Sequence, residues 1–391
     1  AGLTSGHGIF HWFTQSFFVL LPEVEQAFGL SKVGVGAITT TREIASGIIT
    51  LPGGIIADSL KKHWGLILAL CMGTFGFGWL IIGQASVFPL LLFGVAIIAI
   101  AASLWHLPAM ASLSHHFSHR RGTALSFHGI GGNIGDAISP VVTGFLLGYL
   151  AWREILSIYA VVPIFIAFLV FWAFKNIGKT TEHNDSNEKV SQSEQTRMAL
   201  KNPTLWAITF IGGIRGMAFI ALMTFLPSYF SSDLGMSDLA RGVHFGLLVA
   251  VGIISTPIMG YLSDKIGRKK ILVPGMIFLS VIVLLMSFYG DGVTLIILIA
   301  LLGIFFYSDQ PILTASALDI VGEGVATTTL GTLSFARFIL SALSPLIAGF
   351  LYDSFSMNYV FYYVAFLMII GAIALYFLPL KKPLHEATHH H

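Results

Sequence analysis

Eight histidines crowd the first third of this sequence: His7, His11, His63, His106, His115, His116, His119 and His128. His7 and His11 stand one helical turn apart on one face, as do His106 and Met110, and such pairs suit a borderline or soft metal, a proton, or a hydrogen-bonding wall. His11 and Gln15 share a face in the same way. Two carboxylates, Glu43 and Asp136, interrupt apolar sequence, where an ionisable group marks a cavity or a proton path. Asp136 is the better proton carrier of the two, because no base adjoins it while Arg42 adjoins Glu43; His128 completes that set. Three arginines, Arg42, Arg215 and Arg337, likewise lie within apolar stretches of sequence. A charge at membrane depth costs about 2.5–3.5 kcal/mol on insertion scales, so each needs a partner or a cavity. The planar fork of arginine matches a carboxylate, phosphate or phosphonate. Arg215 and Arg337, both in the second half, are expected to converge on one anionic solute. The competing reading is an ion pair with Glu43, Asp136 or Asp309.

The elements that position these groups are membrane spans. Of 391 residues, 55% are hydrophobic and 10% charged, and the mean hydropathy is +0.83. A soluble domain carries about 25% charged residues. Apolar runs fall at 6–27, 34–57, 64–84, 87–112, 122–147, 152–174, 203–230, 241–262, 270–289, 293–316, 325–352 and 358–379. The expected fold is an all-α membrane protein of about twelve transmembrane helices in two six-helix bundles. Residues 1–174 form the first bundle, 175–201 a polar cytoplasmic linker, 202–380 the second bundle and 381–391 a tail. The closing histidines, 389–391, read as a tag remnant, and no cleavable signal peptide is evident. Most of the 21 basic residues collect after the second, fourth and eighth runs, in the linker and in the tail, which puts both termini in the cytoplasm. Cys71 is alone, so neither a disulfide nor a cysteine metal site is expected.

Two segments recur. Gly54-Ile-Ile-Ala-Asp58-Ser-Leu-Lys61-Lys62 matches Gly260-Tyr-Leu-Ser-Asp264-Lys-Ile-Gly-Arg268-Lys at an offset of 206, and Ser139-Pro140-Val-Val-Thr-Gly144 matches Ser344-Pro345-Leu-Ile-Ala-Gly349 at 205. A six-plus-six duplication explains both. The stretch GYLSDKIGRKK, Gly260 to Lys270, resembles the loop motif of the major facilitator superfamily, which repeats between spans two and three and between spans eight and nine. The first copy keeps Asp58 but departs at Ser59 and Leu60. The resemblance implies that Asp58, Asp264 and Arg268 gate the cytoplasmic side. Three further segments, Trp105-His106-Leu-Pro108, Arg121-Gly-Thr-Ala-Leu-Ser126 and Gly131-Gly-Asn133-Ile-Gly135-Asp136-Ala-Ile-Ser-Pro140, are similar to the fosmidomycin-resistance branch, as is the histidine that opens span one. Leu107 separates the His-Pro pair and Ala109 replaces an acidic residue, so the drug itself does not carry over. The glycine run Gly129, Gly131, Gly132, Gly135, Pro140 and Gly144 approximates the antiporter signature of span five, with Ser139 in place of a glycine; the same spacing also serves close helix packing.

These readings predict a proton-coupled secondary transporter that exports a small organic anion or amphipathic drug, conferring drug resistance by alternating access. Arg215, Arg337, His11, Gln15 and His106 are the expected substrate residues, and Asp136, Glu43 and His128 the proton residues. The alternative is a metal-ion or metal-chelate carrier using His7, His11, His106 and Met110, although no metal ligand set is assigned to the leading reading. No enzymatic nucleophile, cofactor motif or P-loop is present, and nucleic acid is not an expected partner. Substrate, protons and lipid are the expected partners of a monomer in a bacterial inner membrane.

Overall fold

Long apolar runs without a nearby charge can satisfy their backbone in lipid only as helices. The computed structural model of the chain describes residues 2–117, 120–174, 201–321 and 326–380, apart from the side chains at 51, 54–59, 61, 114, 115, 121–126, 321, 326–330, 332 and 333. It is helical, with no strand among the described residues. In chain order the helices are α1 (Gly2–Phe28), α2 (Lys32–Ser59), α3 (Trp64–Gln84), α4 (Phe88–His116), α5 (Arg121–Leu147), α6 (Trp152–Ala173), α7 (Pro203–Ser228), α8 (Asp238–Ile266) and α9 (Arg268–Tyr289). They continue as α10 (Gly292–Phe306), α11 (Asp309–Val321), α12 (Ala326–Ser341), α13 (Ser344–Ser354) and α14 (Met357–Phe377). Ten stretches among the described residues are long and apolar enough to cross a membrane. Neither α1 nor α2 is among them; α1 carries His7, His11 and Gln15, and α2 carries Thr39, Thr40, Thr41, Arg42 and Glu43. Large apolar side chains face outward, among them Phe93, Phe165, Phe168, Trp172, Ile254 and Phe366, as a lipid solvent allows.

Ten of the twelve apolar runs match single helices, but the tenth and eleventh each divide. The tenth breaks at Tyr307 and Ser308, between α10 and α11, and the eleventh between Ser341 and Ser344. Each break is followed at once by a proline, Pro311 or Pro345, whose ring clashes with the carbonyl four residues earlier and which a helix accepts in its first turn. The groups exposed there find partners. Arg215 donates to the Phe306 carbonyl at 2.6 Å, and the Ser344 hydroxyl donates to the Met217 carbonyl at 2.7 Å.

The chain divides into two compact units. One comprises residues 1–183, 223–246 and 345–353, and the other 184–222, 247–344 and 354–391. In the first, α1 lies along α5, α3 packs on α4 and α6, and α2 on α4. Phe10, Phe13 and Phe17 form one stripe of α1, and meet Phe75 and Trp79 of α3 with ring centroids 4.3–5.4 Å apart. In the second, α9 packs on α14, α10 and α11.

Glycines set how closely these helices approach. A Cβ on Gly8 would lie 2.8 Å from the Gly131 carbonyl oxygen; one on Gly131 would strike the Thr4 carbonyl, and one on Gly135 the Gly8 carbonyl. The glycine run of α5 therefore packs backbone to backbone with α1. Leucine at Gly135 is expected to push α1 and α5 apart and cost on the order of 1–3 kcal/mol, read as a lower thermal midpoint in detergent. Leucine at Gly129, which has nothing within 4 Å, serves as the tolerated control.

The repeated Ser-Pro-(x)3-Gly segments make equivalent seams inside the first unit. Gly144 of α5 meets Asp238 and Gly242 of α8, while Gly349 of α13 meets Lys32 and Val33 of α2. Reciprocally, Gly242 faces the Pro140 carbonyl and Gly36 faces the Pro345 carbonyl. Two crossings built from the same duplicated segment thus seal the end of this unit where α1 passes to α2.

Candidate functional site

The residues with chemistry gather in the first unit on α1, α4 and α5. His7 and His11 project from one face of α1, His106 comes from α4, and His128 and Asp136 from α5. His11 Nδ1 lies 2.8 Å from Asp136 Oδ2, joining α1 to α5; side-chain exposures are 34% and 11%. His7 Nδ1 donates to the His128 carbonyl at 2.9 Å, and His106 Nδ1 to the Ala102 carbonyl at 2.6 Å. The ring of His7 stacks on His128 at 4.2 Å and meets His11 and His106 edge-on at 4.4 and 5.0 Å. One ring nitrogen from each of His7, His11 and His106 lies within 4.8 Å of the other two. The structure therefore brings together His11, His106, His128 and Asp136, and adds His7. Met110, one turn beyond His106, is exposed.

Gln15 is buried one turn beyond His11. Arg42 and Glu43 come from α2, and Arg42 stands near enough to His11 for the two charges to interact. Arg42 lines a small cavity with Thr14, Phe17, Phe18, Ile38, Thr39, Trp79 and Ile98. Its guanidinium lies over Phe18 at 5.6 Å and 3.5 Å from Glu43 Oε1. Successive helix positions differ by about 100°, yet the long arginine reaches its neighbour, so Glu43 shares its charge environment with a cation.

In the second unit Arg215 forms the ion pair foreseen as its alternative. Its Nε lies 2.7 Å from Asp309 Oδ1, its Nη2 holds the Phe306 carbonyl, and Phe219 covers its guanidinium at 4.4 Å. Both charges are buried. Arg337 of α12 is partly exposed, lies over Phe338 at 4.4 Å, and runs beside Gly216 of α7, the helix that carries Arg215. At the turn from α8 to α9, Asp264 pairs with Arg268, which also reaches Asp319 Oδ2 at 3.1 Å and the Ser263 hydroxyl at 2.8 Å. Gly267 between them has φ +107°, a conformation that favours glycine. The side chain of Asp58, the third expected gating residue, lies outside the described residues, as does nearly all of the linker at 175–201.

A second charged cluster closes the far end of the first unit and is not legible in the sequence. Arg241, wholly buried, binds Glu23 Oε1 at 2.6 Å and Asp238 Oδ1 at 3.2 Å. Lys32 pairs with Glu25 at 2.6 Å, and Asp353 accepts the first backbone N–H groups of α2, from Lys32 and Val33, at 2.9 Å each. The Tyr352 hydroxyl donates to Asp233 at 2.9 Å. The only sign of Arg241 in the sequence is that it lies outside the basic loops.

The family model of the Major Facilitator Superfamily matches residues 3–257 and 208–390. The glycerol-3-phosphate transporter of Bacillus subtilis (strain 168) is 22% identical over 97% of this chain and 90% of its own. The fosmidomycin resistance protein of Escherichia coli (strain K12) is 23% identical over 92% and 87%. Among solved structures, an inward-facing, unoccupied bacterial homologue of the human lysosomal transporter Spinster aligns at TM-score 0.79 and 16% identity, over 96% of this chain and 93% of the other. A D-xylose-proton symporter aligns at TM-score 0.76 and 14% identity, over 98% and 97%.

Proposed function

We propose a function from the premise that the chain belongs to the Major Facilitator Superfamily: among these multi-pass membrane transporters, it is a proton-coupled exporter of a small organic anion or amphipathic drug. The observation that carries this reading is the 2.8 Å contact of His11 with Asp136, an ionisable pair linking two spans. Proton binding there changes the charge at the α1–α5 contact, and so favours one arrangement of the helices over another. His128 and Glu43 belong to the same proton-handling set. In the alternating-access cycle of this reading, the Glu23–Arg241 cluster and the two glycine seams are the contacts inside the first unit that a cycle would have to release. Asp264, Arg268 and Asp58 then act on the cytoplasmic face, in a bacterial inner membrane with both termini inside.

The anionic class is supported by arginine chemistry and by relatives named for glycerol-3-phosphate, nitrate and hexose phosphate. Arg337 and Arg215 are the proposed anion ligands, with Asp309 holding Arg215 when no substrate is bound; His11, Gln15 and His106 are the proposed polar wall. The test is uptake into proteoliposomes under an imposed pH gradient, against a panel of phosphates, phosphonates, carboxylates and amphipathic drugs. Antiport predicts accumulation when the vesicle interior is acidic, because protons then leave as substrate enters. Accumulation only with an acidic exterior would indicate symport, and no movement under either gradient removes the proton-coupled reading. Arg337→Ala is expected to remove anion flux while leaving the amount of folded, membrane-inserted protein unchanged.

A further inference from the structure

We propose that His7, His11 and His106 form a binding site for a divalent transition-metal ion of borderline softness, such as Zn2+, Co2+ or Ni2+, within the first six spans. Three imidazoles from two helices bring one nitrogen each to within 4.8 Å of the others. The hydrogen bonds around them decide which nitrogens these rings can offer. A carbonyl oxygen only accepts, so His7 and His106, whose Nδ1 atoms lie 2.9 Å from the His128 carbonyl and 2.6 Å from the Ala102 carbonyl, carry their hydrogen on Nδ1. An ionised Asp136, 2.8 Å from His11 Nδ1, imposes the same tautomer on the third ring. Each neutral ring then keeps its lone pair on Nε2. Histidines that bind metal are held in this manner, donating their second ring N–H to a carbonyl or a carboxylate, which fixes the tautomer and raises basicity.

Packing fixes the orientation as well. His7 lies nearly parallel to His128 at 6° and to Trp105 at 14°, with His11 and His106 set edge-on to it at 79° each. Nε2 is then the nitrogen each neutral ring offers to a cation, and ligand atoms already gathered within 4.8 Å are close enough for one ion to draw together. Metal–nitrogen distances of about 2.0–2.1 Å in tetrahedral geometry place ligand nitrogens about 3.3 Å apart, so the group must contract by roughly 1.5 Å at most. Three protein ligands leave one position open, as in sites that exchange water or ligand rather than serve only structure. Asp136 behind His11 supplies compensating negative charge. The site does not rest on the anion-export reading, since equilibrium binding requires no flux.

The experiment is a Co2+ titration of the purified full chain in detergent, followed by visible absorption and by displacement with Zn2+, with histidines 389–391 removed because they bind metal themselves. One equivalent of Co2+ is expected, displaced by Zn2+. His11→Gln and His106→Gln should each weaken binding by about 100-fold or more, Asp136→Asn by about 10–100-fold, and His244→Ala not at all. Should a glutamine variant not fold, His106→Cys retains a ligand at the same place and is expected to bind Co2+ with a new sulfur-to-metal charge-transfer band. Absence of stoichiometric binding in the wild type, binding undiminished in both glutamine variants, or binding by His106→Cys without that band would each overturn the assignment.

Discussion

Asp136→Asn is expected to reduce pH-driven accumulation in proteoliposomes to that of protein-free vesicles while leaving substrate-for-substrate exchange intact. Asparagine preserves size and can still accept a hydrogen bond from His11, so the α1–α5 contact persists, but it cannot take or release a proton. The energetic link between the pH gradient and the conformational change is therefore lost, although the carrier can still reorient when loaded. Exchange and gradient-driven uptake, measured on one preparation, separate loss of coupling from loss of fold. Gradient-driven accumulation at the wild-type rate by Asp136→Asn would exclude Asp136 as the proton carrier. Asp136→Glu, which restores an acid one methylene longer, is expected to recover part of the accumulation.

The second large effect lies at the ion pair of the other unit. Arg215→Met leaves Asp309 buried without its cation, and breaking a buried pair by removing one partner costs about 3–5 kcal/mol. The Phe306 carbonyl at the break between α10 and α11 loses its donor as well. The expected result is a fall in thermal midpoint and in yield of monodisperse protein. Replacing both partners, Arg215→Met with Asp309→Leu, removes the uncompensated charge and should recover most of that stability, since apolar isosteres of buried pairs are often neutral or better. The same double variant tests the anion-ligand role. Recovered stability with flux still absent assigns Arg215 to the solute, whereas recovered flux makes it a purely structural clasp.

Much of the fold is written in hydropathy. The runs at 64–84, 152–174 and 270–289 lie within a residue or two of α3, α6 and α9, because lipid leaves the backbone no alternative to a helix and polar turns end it sharply. The divided tenth and eleventh spans were less legible. Pro311 and Pro345 accompany the breaks, yet Pro22, Pro108, Pro140 and Pro163 lie inside unbroken helices, so proline alone does not say where a membrane helix parts. The site shows the same division. The one-turn spacing of His7 and His11 is local and readable, but their meeting with His106 and Asp136 depends on how α4 and α5 pack on α1. The pairing of Arg215 with Asp309 rather than Glu43 or Asp136 is likewise tertiary information. Arg241 has no apolar run on both sides to mark it, and its burial follows from Glu23 and Asp238 converging on it.

The glycine seams bear on how fast a closed face can open. Glycine has no side-chain rotamers to order, so surfaces joined backbone to backbone at Gly144 with Gly242, and at Gly36 with Pro345, lose no side-chain conformational entropy when they meet and regain none when they part. An interdigitated apolar interface must re-sort its side chains at every cycle; these seams need only slide together. In the alternating-access cycle proposed above, the rate of parting would then be left largely to the charged contacts of Arg241 with Glu23 and Asp238 and of Lys32 with Glu25: a latch whose release is electrostatic and whose mating surfaces carry no memory of the previous turn.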